Sequence, residues 1–215
     1  MLFAGIKNEK VELIFKNKKM KRTWIILGII VVVVILIYSS VKGTYNSMVT
    51  MDEAVSASWA QVENVYQRRA DLIPNLVNTV KGYAAHEQET LQSVIEARSK
   101  ATSVTVDPAN MDPQALAQFQ AAQDGLSSAL SRLMVVVERY PDLKANQNFL
   151  DLQAQLEGTE NRIAVERRKF NESARAYNTY IRKFPKNIYA GVFNFETKAY
   201  FEAEKGAGKA PEVSF

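Results

Sequence analysis

The chain has 215 residues, a single histidine and no cysteine, so neither a disulfide framework nor a thiolate metal site can form. Residues 1–22 carry seven basic and two acidic side chains, a net charge of +5, whereas the whole chain carries +4, so residues 23–215 sum to −1. That near-neutral balance removes the electrostatic support for nucleic-acid binding by the main part of the chain.

The first predicted element is an apolar helix that runs from Trp24 to Val41 without a charged residue. At ~1.5 Å per residue it covers roughly 27 Å, close to the ~30 Å hydrocarbon core of a bilayer. The apolar run is longer than that of a secretory signal peptide, and no A-x-A cleavage site follows it. We therefore predict an uncleaved transmembrane helix over residues 23–42 that anchors the chain in the lipid bilayer of the inner membrane.

The basic tail, residues 1–22, bears on the orientation of this span. Seven Lys and Arg residues precede the span, and only Lys42 lies in the twenty residues after it. The positive-inside rule then places the N-terminus in the cytoplasm and the larger part of the chain outside. Both Met1 and Met20 have the form of a start, and the lysine excess depends on the residues between them, so the side stays open with a lean toward the outside.

Three long amphipathic helices are predicted after the span, each with the apolar 3-4 spacing of a coiled coil. In the first, Asp52 and Arg69 fall in the apolar register, and Pro74 predicts a kink or a break because proline lacks a backbone donor. This helix is expected to end near Ser99 to Thr102. The second follows an N-cap at Asp112, with Gln123 as its polar stripe member, and stops at Pro141. The third runs from Asp142 or Ala145 to Lys183, with Thr159 and Glu166 as exceptions.

These patterns predict an all-α fold: one transmembrane helix, then an antiparallel bundle of three long helices over residues 43–204, or four if the first breaks near Pro74. The aromatic-rich stretch from Asn187 to Glu204 is expected to cap the end of the bundle, with a docking segment for a partner as the alternative. Residues 205–215 are predicted to be disordered.

Polar residues beside the apolar stripes are the candidate site. We interpret these polar residues as members of interhelical ion pairs that fix the helix register. The alternative is a polar pocket that binds a ligand or metal. The candidates for this register or pocket are Arg68, Arg69, Asp71, Glu138, Glu160, Asn161 and Glu166.

A second candidate surface lies on the first helix after the span. Its ridge would be exposed if the helix overhangs shorter neighbours, and exposed apolar ridges favour association. We expect homo-oligomer formation through this stalk, which comprises Met48, Val55, Trp59, Val62 and Tyr66.

Signs of catalysis are missing from the sequence. His86 opens an H-E-Q-E-T string, but Thr90 stands where a zinc helix needs its second histidine. Gly-rich phosphate loops and a serine nucleophile elbow are also missing. We predict no catalytic residue, no cofactor and no metal. A hydrolase that uses carboxylates, from Glu87, Glu138, Glu160 and Glu166, is the weakest hypothesis.

Several stretches of the chain form recognisable motifs: YNSMV at Tyr45, WAQVENVYQRRADLIPNLVNTVKGYAAHE from Trp59, RLMVVVERYPDLKANQNFLDLQAQLEGTENRIAVERRKFNE from Arg132, and YNTYIRKFP, FNF and YFEA after it. On these motifs the chain resembles the LemA family of bacterial membrane proteins. The resemblance implies a single N-terminal span and an all-helical bundle, without an established activity or catalytic residues. Family members are often described with the bundle in the cytoplasm, which conflicts with the lysine count.

The expected function is therefore a membrane-anchored scaffold or adaptor of the bacterial envelope that self-associates or binds other membrane proteins. A ligand-sensing bundle that signals through its transmembrane helix is the alternative.

Overall fold

The computed structural model describes residues 2–108 and 111–202, with side chains for Arg22 and from Trp24 onward. Within these residues all regular structure is helical, which confirms the predicted all-α fold. The predicted disordered segment, 205–215, lies outside them, as do the side chains of the basic tail up to Lys21. The helices are α1 (Leu2–Lys81), α2 (Gln88–Ser103), α3 (Pro113–Val137), α4 (Pro141–Lys144), α5 (Gln147–Arg182) and α6 (Lys186–Val192).

The chain divides into two compact units, Met1–Ser47 and Met48–Phe215, and α1 contributes to both. In the first unit, residues 24–40 are helical and their side chains are exposed. Among the described residues this is the one stretch long and apolar enough to cross a membrane. It fits the single-pass membrane anchor that the sequence predicts.

The second unit is a helical bundle built from residues 48–81 of α1 together with α2, α3 and α5. Side-chain contacts give the helix directions: Arg98 of α2 reaches Ala70 of α1, and Arg139, just after α3, reaches Glu87, just before α2. Asn146 at the start of α5 reaches Tyr83 after the end of α1. Helices α1 and α3 therefore run one way, and α2 and α5 run the other.

The predicted break at Pro74 does not occur, because α1 continues through this residue to Lys81. Proline leaves the carbonyl of Ala70, four residues earlier, without its helical donor. Arg98 of α2 supplies the replacement, since its Nε donates to the Ala70 oxygen over 2.7 Å. Buried side chains on both sides of the proline, Ile73 and Leu76, hold the helix against the core.

The chain instead turns at residues 82–87, which begin with Gly82, a residue of low helix propensity. This turn divides the first long helix that the sequence predicted, so that α2 becomes a fourth member of the bundle and ends at Ser103. Glu87 in the turn accepts hydrogen bonds from Arg139 (2.9 Å) and the Tyr140 hydroxyl (3.1 Å), which tie it to the end of α3.

Side-chain caps begin two of the helices. Asp112 accepts from the backbone N–H of Gln114 over 3.2 Å at the start of α3, which confirms the predicted cap. Asn146 accepts from the N–H of Phe149 over 3.1 Å at the start of α5, after the single turn of α4. Helix α5 then ends at Arg182, one residue before the predicted end.

Two hydrophobic clusters form the core of the bundle. One gathers residues 48–66 of α1, the first turns of α3, the second half of α5 and the C-terminal segment around Trp59 and Phe170. The other gathers residues 73–84 with α2, the later part of α3 and the start of α5 around Leu76 and Leu133. Between them lie the buried polar residues Arg69, Gln123 and Thr159.

Candidate binding groove

The buried polar layer is centred on Arg69 of α1, whose side chain is 2% exposed. Its Nη1 donates to Ser127 Oγ and to Glu160 Oε2, both at 2.9 Å, and its Nη2 donates to Gln123 Oε1 at 2.7 Å. Gln123 Nε2 in turn donates to the carbonyl of Ala101 at the end of α2, over 3.1 Å. This one layer therefore joins all four long helices through hydrogen bonds.

A groove of about 1300 Å³ lies between α3 and α5, with Arg69 and Tyr66 of α1 among its lining residues. Small side chains of α3, such as Ala117 and Ala121, line it together with the half-buried Leu130, Met134 and Leu156. At one end it is bordered by Ala199, Tyr200 and Glu202. The groove is thus an elongated, mostly apolar surface with a charged layer at its floor.

The charges that line this groove are predominantly acidic. Among the lining residues that the structure describes, four carboxylates, Asp124, Glu157, Glu160 and Glu202, accompany two guanidinium groups, those of Arg69 and Arg167. The Arg69 guanidinium also lies over the Tyr66 ring, 5.1 Å from its centroid. Burial raises the pKa of the Tyr66 phenol, and the charges of Arg167 and Arg69 offset part of that rise.

Chemically, the groove offers the paired charges of Arg69 and Glu160, further carboxylates, and the phenol of Tyr66, which is protonated near neutral pH. Throughout residues 24–108 and 111–202 the structure places no group of three or more His, Asp or Glu side chains where a metal ion could be held. The arrangement is suited to binding an apolar or amphipathic surface, with selectivity from the acidic excess.

Of the seven predicted register or pocket residues, the structure brings together Arg69 and Glu160. Arg68 and Asp71 are exposed, and Asn161 is exposed on α5. Glu138 pairs with Lys144, outside the groove, and Glu166 pairs with Lys169 one turn away on the same helix, at 2.8 Å. Polar residues within the apolar stripes, such as Gln123, indicated the buried layer better than the charged residues beside the stripes did.

The predicted self-association stalk lies inside the protein's own core, so the expectation of an exposed ridge is not met. Its five residues, Met48, Val55, Trp59, Val62 and Tyr66, are 0–6% exposed. The reason is that α5, the start of α3 and the C-terminal segment cover this face of α1.

The C-terminal segment, residues 195–202, covers part of this face of α1. Phe201 is 5% exposed and packs on Trp59, with ring centroids 5.8 Å apart and planes 20° apart, and on Phe170 at 5.5 Å. The buried Lys198 forms an ion pair with Asp52 at 2.9 Å. The aromatic tail packs back on the bundle as predicted, but residues 198–201 lie along α1 and α5, whereas the prediction placed the tail as a cap on the end of the bundle.

Two asparagines of α5 hold this segment, and neither is among the residues that the sequence predicted for a site. Asn178 accepts from the N–H of Lys198 and donates to its carbonyl, both at 2.8 Å. Asn171 does the same with Phe201, at 2.9 and 3.0 Å. The two asparagines are seven residues apart, beside Phe170 and Tyr177 of the apolar stripe, and this repeated spacing is the signal that could have found them.

Fold and groove together define a class: a helical-bundle protein with one apolar N-terminal helix that fits a single-pass membrane anchor, and with a groove between two of its helices. The model of the LemA family matches residues 58–215, and the chain belongs to this family. The resemblance found from the sequence motifs is confirmed.

Three relatives show how far the similarity extends. The chain is 31% identical to Magnetosome protein MamQ 2 of Paramagnetospirillum magneticum over 189 residues, which covers 79% of this chain and 68% of the relative. It is 29% identical to Magnetosome protein MamQ of Magnetospirillum gryphiswaldense over 209 residues, covering 88% and 76%. It is 24% identical to Protein LemA of Metamycoplasma hominis over 170 residues, covering 79% and 74%.

Proposed function

We propose that this protein is a membrane-anchored scaffold of the bacterial inner membrane, with its bundle outside the cytoplasm and without catalytic activity, and that it gathers copies of itself or other membrane proteins. The groove between α3 and α5 is the observation that carries the proposal. Membership of the LemA family and the similarity to MamQ proteins favour a membrane-associated role of this scaffold type.

The groove fits an amphipathic helix of a partner protein. A helix of this kind buries apolar residues in a hydrophobic groove, and here Leu130, Met134 and Leu156 would receive them. The two excess carboxylates among the lining residues favour a partner with Lys or Arg on the flanks of its apolar stripe. Arg69 supports binding rather than chemistry, because both of its terminal nitrogens already donate to α3 or α5.

Site-specific crosslinking in intact membranes tests this proposal. The chain has no cysteine, so a single introduced thiol reports one position. Ala121→Cys places the thiol in the groove, and Ser99→Cys places it on the exposed surface of α2 as the matched control. We expect a thiol-reactive crosslinker to join the groove variant to a second protein. Equal yields at the two positions, or no product at Ala121, would contradict the proposal.

A ligand-sensing bundle that signals through its transmembrane helix is the second candidate. The observation in its favour is the Arg69 Nε, which is buried beside the groove and has no hydrogen-bond partner in the part of the chain that the structure describes. An anionic amphiphile would supply an acceptor to it and an alkyl chain to the groove. If sensing is the function, a fatty acid should raise the melting temperature of the wild type but not of Arg69→Met, whereas a scaffold requires no such shift.

A further inference from the structure

The C-terminal segment, residues 195–202, lies on the bundle in the way an extended peptide lies in a receptor groove. Most of its polar contacts go to its own backbone: Asn171 and Asn178 each hold both the N–H and the carbonyl of one residue. The carbonyl of Glu202 accepts from Arg167 at 3.0 Å and from Gln120 at 3.3 Å. Contacts of this kind do not depend on which side chains the peptide carries.

Two side chains of the segment fix its register. Lys198 places its ammonium group 2.9 Å from Asp52 and 3.1 Å from the carbonyl oxygen of Pro108. Phe201 fills the space between Trp59 and Phe170, with the Arg167 guanidinium 4.8 Å from its ring centroid. An occupant of this site must therefore present a cation and, three residues later, an aromatic ring on an extended backbone.

We propose that this site exchanges its occupant between copies of the chain, so that the segment of one copy docks on the bundle of another. The segment of a second copy supplies the same cation, the same ring and the same backbone groups, so exchange loses no contact. This is the physical basis of domain swapping. Any other occupant would have to match Asp52, the aromatic pocket and both asparagines at once.

The exchange deepens the proposed scaffold role, and rests on it, by naming a route for self-association. The buried stalk residue Trp59 then still contributes to the interface, because Phe201 of the other copy stacks on it. Anchors in one membrane confine the copies to a shared surface, which raises the effective concentration of each segment near neighbouring bundles.

Reciprocal charge reversal tests the proposal with two tagged full-length chains in the same membrane. One chain carries Asp52→Lys with Gln120→Cys, and the other carries Lys198→Asp with Glu202→Cys. Within either chain the segment now meets a like charge, and between the two chains both ion pairs are restored. Gln120 of α3 contacts the Glu202 carbonyl. A short thiol crosslinker should therefore join the two chains when the segment of one copy is docked on α3 of the other.

We expect crosslinked heterodimer in at least about tenfold higher yield than from the same cysteine chains with native charges, because like charges placed opposite each other strongly disfavour one arrangement. Separate chains that carry Glu138→Lys and Lys144→Glu, an exposed pair, are the matched control and should leave the yield unchanged. A single chain that carries both Asp52→Lys and Lys198→Asp is the folding control. We expect this chain to fold, because its ion pair is present with the charges reversed.

Exchange is overturned if the chain with both Gln120→Cys and Glu202→Cys crosslinks within itself while the reciprocal pair gives no heterodimer. That result leaves the scaffold proposal standing, because capture of a partner at Ala121→Cys does not depend on the segment of another copy. Loss of the Ala121 product with retention of the heterodimer would be the opposite outcome, in which the groove proposal fails and exchange holds.

Discussion

At the scale of single residues, a guanidinium in a protein core loses its hydration and needs polar partners to offset that loss. Arg69 finds them on two helices, α3 and α5, and stacks on Tyr66. Its partner Glu160 is 55% exposed, so this carboxylate keeps much of its water. The layer is therefore held more by the geometry of the Arg69 hydrogen bonds than by the strength of one ion pair.

Replacing Arg69 by Ala should lower the free energy of unfolding by about 2–3 kcal/mol, because the buried Gln123 side chain and the half-buried Ser127 hydroxyl lose their donor. Arg68→Ala, next to it but exposed, is the matched control and should change stability by less than about 0.5 kcal/mol. Urea unfolding followed by circular dichroism measures both. Equal effects of the two substitutions would show that the buried layer does not stabilise the bundle.

Burial raises the pKa of Tyr177 to about 12, and the nearby carboxylate of Asp52 adds to the rise. Because the pKa is higher in the folded chain than the usual value near 10, this group's contribution to stability is present below about pH 10 and is lost as the pH rises toward 12. Tyr177→Phe should therefore reduce the fall in unfolding free energy between these pH values. Urea titrations between pH 7 and 9 provide the control, because the unfolding free energies of the variant and the wild type should change with pH in the same way over this range.

At the scale of the helices, the sequence predicted the elements better than their breaks. Apolar spacing and caps such as Asp112 gave helix positions to within a few residues, because these signals are local. Pro74 misled the prediction, since the donor that compensates for it comes from Arg98, 24 residues later in the chain. A compensation between two helices cannot be read from the residues around the proline.

This pairing gives a double-mutant test. Arg98→Ala should lower the free energy of unfolding by about 1–3 kcal/mol, because the buried Ala70 carbonyl loses its donor. In a Pro74→Ala background the effect should be smaller by at least about 0.5 kcal/mol, since an alanine N–H can bond that carbonyl within the helix. Lys100→Ala, exposed on the same helix, serves as the control. Additive effects of the two substitutions would mean that proline and arginine are not coupled.

The site was predicted only in part for the same reason. Polar residues in an apolar register can be found from spacing, and Asp52, Arg69 and Gln123 stood out in this way. Asn171 and Asn178 lie beside the stripe, where asparagine is usually solvent-exposed, so their backbone partners were not foreseen. The element that covers the fourth side of Trp59 is an extended segment and not a helix. Tertiary packing alone determines this.

At the scale of the whole molecule, the chain joins two kinds of structure that differ in the surface they expose. Residues 24–40 expose apolar side chains, as a helix in lipid would, and the second unit buries its apolar residues in its own core. The bundle therefore contains the hydrophobic clusters that it needs to fold, and the apolar helix contributes to neither of them.

A chain that begins at Thr44 should consequently leave the membrane fraction and remain helical. The apolar stretch is the part whose transfer to lipid is favourable, and its removal takes no residue from either core cluster. Ultracentrifugation of lysates, with the full chain processed in parallel, measures the partition, and circular dichroism measures the helix content. Retention of the shortened chain in membranes would point to a lipid-binding surface on the bundle itself.

The polar layer has a consequence for sequence change in this bundle. Sliding α1, α3 or α5 by a single turn would separate Arg69 from hydrogen-bond partners on α3 or α5, and sliding α2 would separate the amide of Gln123 from the carbonyl of Ala101. Insertions and deletions should therefore accumulate in the connecting turns and not within the helices, and substitution at position 69 should be accompanied by changes at 123, 127 and 160. The side chains at these four positions therefore determine how the long helices are aligned along the bundle.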